Sequence, residues 1–124
     1  MAASEQVKKI TQIAAQAIAD KLGTDIVALD MTEQMVLSEV FLIASAQSER
    51  QVDAIADGVF EALAKIGEKP IRKEGKGAWV LLDYSDLVVH IQTQELRSYY
   101  MLDRLWNDCA RIPFQILEAP VIQE

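Results

Sequence analysis

The chain holds a single histidine, His90, so any serine or cysteine nucleophile has only that imidazole to act as its base. His90 follows Val88 and Val89 in the run D-L-V-V-H-I-Q, a strand pattern that gives it a structural or surface place. The single cysteine, Cys109, ends an apolar stripe at helical spacing and reads as packing. Zinc needs several Cys or His ligands, which the chain does not have. Asp83 and Asp86 could bracket a divalent ion, but two carboxylates around a turn are commoner as exposed turn residues. Gly75-Lys76-Gly77 lacks the length and the trailing Lys-Ser/Thr of a phosphate loop, precedes a strand and reads as a turn. The expectation is a non-enzyme with no catalytic set, no metal and no cofactor.

Binding chemistry is better represented. If Tyr84-Ser85 is a two-residue turn between strands, Asp83 faces Asp86, Leu81 faces Val88 and Trp79 faces His90. Alternation then puts Val80, Leu82, Leu87, Val89 and Ile91 on one uniformly apolar face. The other face carries Trp79, Leu81, Asp83, Asp86, Val88 and His90, an apolar anchor inside an acidic rim. Left uncovered, that second face is a partner-binding patch. Covered by a helix, it makes Trp79 a core residue.

The elements that must hold this hairpin follow from periodicity. Ser4 to Leu22 has helical spacing, with Glu5 in the first turn and Gly23 as a stop. Asp25 to Asp30 reads as a short strand, Met31 to Leu37 as a connection, and Glu39 to Ala46 as a strand covered on both faces. Ser48 and Gln51 form a capping box, after which Val52, Ile55, Ala56, Val59, Phe60, Leu63 and Ile66 line one helix face up to Gly67. A short strand is expected at Pro70 to Glu74, and strands at Ala78 to Asp83 and Asp86 to Gln92. One helix is expected from Glu95 to Cys109, through Leu96, Tyr99, Leu102, Leu105 and Trp106. The order αββαβββα predicts an α/β protein, a mixed sheet packed with helices. A chain of 124 residues makes one domain, expected at 1–112, with a C-terminal tail at 113–124.

Charge bears on partners. Twelve Lys and Arg against 19 Asp and Glu give −7, which opposes non-specific nucleic-acid binding as the main activity. The charge is uneven: residues 81–124 carry seven acids and three bases, whereas Lys65 to Lys76 carries five bases and two acids. An acidic face suits a basic protein partner, although excess acid also serves solubility. The lone cysteine, the lack of a leader and the short apolar runs lead us to expect a cytoplasmic protein that neither spans nor binds membrane.

Several runs then fall in a familiar order. These are D-I-V-A-L-D at Asp25 to Asp30, F-L-I-A-S-A-Q-S-E-R-Q-V at Phe41 to Val52 and A-I-A-D at Ala54 to Asp57. They are followed by E-G at Glu74-Gly75, W-V-L-L-D-Y-S-D-L-V-V-H at Trp79 to His90, and R-S-Y-Y-M-L-D-R-L-W-N-D at Arg97 to Asp108. Together, over about residues 5 to 109, they resemble the ribosomal silencing factor family (RsfS, related to Iojap). The resemblance implies a nucleotidyltransferase-like fold without transferase activity. It implies binding to large-subunit ribosomal protein fourteen on the large ribosomal subunit, which blocks joining of the small subunit and lowers translation under nutrient limitation. Its contact surface maps onto Trp79, Leu81, Asp83, Tyr84, Arg97 and Tyr100.

The chain departs from the family at three places. Ser45-Ala46 stands where Thr-Gly is usual, Ser85 where Gly is usual, and Met31 to Glu39 lacks the Ser-x-x-Ala-Asp-Tyr character. Other readings stay open beside the resemblance. One is a nucleotide-dependent transferase, which would need a Gly-Ser motif and paired acids that are not found. Another is a self-associating scaffold or possible homodimer on the Trp79 face. A third is a ribosome-assembly factor without silencing activity.

Overall fold

The computed structural model describes residues 3–34 and 38–117. Helix α1, Glu5–Asp20, starts where the Ser4 side chain accepts the Val7 N–H. It buries Val7, Ile10, Ala14, Ala17 and Ile18 as the spacing requires. Leu22 leaves that face: the helix ends first, and Leu22 is exposed at φ 67°.

Strands β1 (Thr24–Asp30) and β2 (Val40–Ala46) precede helix α2 (Glu49–Ala64), and strands β3 (Arg72–Lys76), β4 (Trp79–Asp83) and β5 (Leu87–Thr93) follow it. Helices α3 (Gln94–Tyr100) and α4 (Leu102–Leu105) complete the order. The sheet runs β1-β2-β5-β4-β3, with β2 and β5 parallel and the other pairs antiparallel. It is the mixed sheet that the element order predicts.

Helices α1 and α2 pack on one sheet face, against Val40, Leu42, Leu82, Leu87, Val89 and Ile91. On the other face Leu29, Ile43 and Met31 form a smaller cluster with Phe41, Leu102 and Trp106 around Cys109. β2 is buried on both faces, which explains its unbroken apolar run.

The capping box at α2 works differently from the reciprocal arrangement expected. Ser48 accepts the Gln51 N–H at 3.1 Å, but Gln51 Oε1 accepts from Gln47 N–H, one residue earlier. The Gln51 amide also donates to the Lys21 and Leu22 carbonyls, tying the end of α1 to the start of α2. Phe60 lies off the buried face of α2 and Ile66 lies beyond its end at Ala64; both are exposed.

Three further expectations need correction. The Glu95–Cys109 helix is two helices, because Met101 takes the left-handed conformation at φ 49° and turns the chain. Tyr99 and Leu105, placed on its apolar stripe by spacing, are exposed in consequence. The turn at Gly75-Lys76-Gly77 is shorter: Lys76 pairs with Trp79, leaving Gly77-Ala78 as the loop. The tail expected from 113 is anchored as far as 117. Gln12 and Gln16 hold the backbone of Gln115 and Leu117, and Phe114 packs on the core. Pro120 to Glu124, read as the loose end, lies outside the described residues.

The chain covers the Ala28–Asp30 end of the β1 edge on its way there. Asp30 N–H donates to the Ala110 carbonyl and Ile112 N–H to the Ala28 carbonyl, both at 2.8 Å. Among the described residues, no strand pairs with the outer side of β3. No described helix is long and apolar enough to cross a membrane.

Candidate functional site

The β4–β5 pairing is displaced from the register expected. Asp83 faces Val88, Leu81 faces His90 and Trp79 faces Gln92, with Tyr84 N–H donating to the Leu87 carbonyl. The two-residue turn is therefore Ser85-Asp86. Ser85 takes φ 76°, the positive value that primed turns require at their first central position. Because the pairing moves by two residues, each strand keeps its faces. Trp79, Leu81, Asp83, Val88 and His90 do share the face away from α1 and α2, joined by Gln92, while Asp86 moves into the turn.

On this face the aromatic rings form a row. Trp106 meets Phe41 edge-on at 5.2 Å, Phe41 lies 5.0 Å from His90, and His90 lies 6.1 Å from Trp79. Trp79 continues to Tyr100 at 5.0 Å and Tyr100 to Tyr99 at 5.0 Å. The row is buried at His90 and surfaces at Trp79, which is half-buried, and at Tyr100 and Tyr99, which are exposed. Trp79 Nε1–H donates to His90 Nδ1 at 3.4 Å, so the ring must be neutral to accept it. Burial pushes the His90 pKa down to about 4, which keeps it neutral at pH 7.

Arg97 is an internal clamp. Its Nη1 donates to Ser45 Oγ at 3.0 Å and its Nε to Asp103 Oδ1 at 3.1 Å. These bonds hold α3 to the end of β2 and α4 to α3 across the turn at Met101. Burial works to raise the Asp103 pKa, but the hydrogen bond and charge of Arg97 outweigh it and hold the carboxyl below its usual range. The Tyr100 ring is thereby presented to Trp79 on a fixed helix.

The nine residues singled out from the sequence thus divide. Trp79, Leu81 and Asp83 are half-buried on the open part of the face, and Tyr100 is exposed beside them. Val88, His90 and Arg97 are on the same side but buried, so they shape the surface from beneath. Tyr84 lies on the opposite, helix-covered face, packed in the main core. Its hydroxyl pKa is pushed up to about 12 by burial and, secondarily, by the charge of Glu68. Asp86 is exposed at the turn.

Asp83 is already committed: Oδ2 accepts from Arg72 Nε at 3.1 Å and Oδ1 from the Ser85 N–H at 2.8 Å. A shallow depression of about 270 Å³, lined by Glu74, Gly75, Trp79 and Leu81, opens next to the aromatic end. Gly75 makes it possible: at φ 83° a side chain there would overlap the Trp79 carbonyl.

Sequence reasoning missed that Tyr99, Met101 and Leu105 are exposed, Tyr99 with its ring against Tyr100. The signal was present in Y-Y-M-L-x-x-L, too many apolar residues for one face of a single helix. Among the described residues, no three of His, Cys, Asp and Glu gather where a metal could be held. The arrangement is suited to contact, with an aromatic ledge beside a shallow apolar depression.

Comparison with known proteins gives this ledge a context. Residues 4–124 match the family described as ribosomal silencing factor during starvation. A Bacillus subtilis relative named ribosomal silencing factor RsfS is 41% identical over 103 residues, covering 82% of this chain and 87% of the relative. A Chromobacterium violaceum protein of the same name is 35% identical over 104 residues, covering 82% and 85%. A Zea mays protein named Iojap, chloroplastic, is 32% identical over 79% of this chain and 43% of its own length. A crystal structure of a Chromobacterium violaceum protein superposes with TM-score 0.78 at 32% identity, covering 93% of this chain and 96% of that one. One from Bacillus halodurans gives 0.74 at 35% identity, covering 86% and 98%.

Proposed function

The chain belongs to the ribosomal silencing factor family, and from that premise we propose that it docks through the Trp79 face on the large ribosomal subunit. Its partner there is large-subunit ribosomal protein fourteen. By occupying the surface that the small subunit needs, it blocks subunit joining and lowers translation when nutrients are scarce. The role is binding, not catalysis.

The observation that supports this reading is the aromatic row, closed over β1 and β2 and open at Trp79 and Tyr100. A tryptophan held from behind by His90 and from the side by Tyr100 has little rotamer freedom left to lose. That makes it a favourable anchor, because ordering side chains costs about 0.5–1.5 kcal/mol each on association. Leu81 and the depression beside it supply the apolar surround. Asp83 supports the turn from within, so the exposed Asp86 is the acidic rim group that meets a basic partner first.

Co-sedimentation with separated ribosomal subunits tests the proposal. Wild type should bind large subunits only, and Trp79→Ala should not. Binding to neither subunit would overturn it. The exposed Tyr99 stacked on Tyr100 at the end of the ledge favours one second reading, self-association on the same surface. Light scattering on wild type and Trp79→Ala distinguishes that case: a dimer that the substitution dissolves is expected only if copies meet on this face.

A further inference from the structure

We infer that the open edge of the sheet is a phosphate-contacting surface, placed to touch RNA beside the protein that the Trp79 face engages. This rests on the docking reading above and extends it to a second component of the same target. The net charge of −7 hides a segregation: Lys65 to Lys76 is +3, which leaves −10 for the rest of the chain. Lys65, Lys69, Arg72, Lys73 and Lys76 are all exposed.

Their placement is not that of one solvated face. Arg72 and Lys76 pair with Asp83 and Trp79, so both are on the docking side of the sheet. Lys73 pairs with Leu82 and points to the helix-covered side, where Lys65 ends α2. The cations therefore straddle the edge strand. Arg72 is engaged by Asp83 at 3.1 Å and Glu74 at 3.6 Å. Lys65, Lys69, Lys73 and Lys76 have no ion pair with any described residue.

Solubility does not ask for such a cluster, since the excess acid already supplies it. The cluster is also lysine-rich, and its one arginine is occupied. Compact ammonium groups on flexible stems suit a row of phosphates, whereas planar bidentate capture of carboxylates favours arginine. No aromatic side chain stands between Lys65 and Lys76, and the neighbouring Trp79 is given to the protein partner, so the contact is made to phosphates and is blind to sequence. The test separates RNA from an acid-rich protein as the opposing polyanion.

The experiment is a salt titration of binding to isolated large subunits, comparing wild type with the triple variant Lys69→Gln, Lys73→Gln, Lys76→Gln. Each lost phosphate contact should reduce the log–log salt slope by about 0.7–0.9. Between 50 and 200 mM salt, wild-type affinity should therefore fall about 20- to 40-fold more than that of the variant. Trp79→Ala should lower affinity without changing the slope. The same titration against the isolated ribosomal protein, free of RNA, should show no difference between wild type and the triple variant.

An unchanged slope on the subunit overturns the inference and leaves the docking reading standing. An equal loss against the isolated protein also overturns it, because the lysines then meet carboxylates. Failure of the wild type to bind large subunits at all overturns both. An unchanged urea midpoint in the triple variant confirms that these exposed substitutions leave the fold intact.

Discussion

The two faces of the sheet solve different problems with different residues. Under α1 and α2 the contacts are aliphatic, with Val40, Leu42, Leu82, Val89 and Ile91 closed off from water. On the far face, aromatic rings alternate with polar groups: Phe41 and Trp79 beside His90, with Ser45, Gln92 and Arg97 beneath α3. Aliphatic packing is non-directional and tolerates exchange of like for like. Hydrogen bonds such as Trp79 to His90 and Arg97 to Ser45 fix orientation, and leaving one partner unmade is costly. One face gives cohesion; the other gives a shaped surface.

Substitutions should separate the two. Leu82→Ala, on the cohesive face, should cost about 2–5 kcal/mol of folding stability, read from urea midpoints. The folded fraction should still bind large subunits normally. Trp79→Ala should do the reverse, weakening binding by about 2–4 kcal/mol, a factor of roughly 30 to 800. Its stability should fall less, by about 1–3 kcal/mol, since the ring is half-buried but its loss leaves the buried His90 Nδ1 without a donor. Equal effects of both substitutions on binding would erase the distinction between the faces.

Acid should loosen the aromatic face first. The unfolded chain takes up a proton near the ordinary histidine value of about 6.5, whereas burial delays His90 in the folded protein to about 4. Stability is therefore full above that ordinary value and falls by about 1.4 kcal/mol per pH unit until the folded ring also protonates. Urea midpoints across that window should slope in wild type and flatten in His90→Leu.

The smallest effect expected is at the helix break. Met101→Gly relieves a left-handed non-glycine residue and should change stability by no more than about 1 kcal/mol. If stability drops by several times that amount, Met101 contributes packing to the aromatic face.

How far these faces could be read in advance differs in the same way. Period-two alternation in β4 and β5 carried the face assignment, and it survived an error in the turn because a two-residue slip preserves sidedness. The pair partners differ from the expected ones, because Ser85-Asp86 and not Tyr84-Ser85 makes the turn. Tyr84 belongs to the contact set through the resemblance alone, and the structure places it one step before the turn, in the core. The break at Met101 leaves no Gly or Pro to announce it, so the periodicity of Leu96 to Cys109 ran straight through. The family resemblance puts Arg97 among the contact residues, whereas the structure buries it as a clamp. Its bond to Ser45 spans 52 residues, a tertiary fact that no local pattern encodes.

The two sheet margins also bear on assembly. Residues 110–112 cover β1 from Ala28 to Asp30, while among the described residues β3 offers an unpaired backbone rim along its length. Edge-to-edge extension is therefore most open at β3. Even there it is discouraged between identical copies: two β3 strands laid antiparallel about Glu74 would set Arg72 against Lys76 twice. That register is thus discouraged between copies, while the margin stays available to a partner of opposite charge.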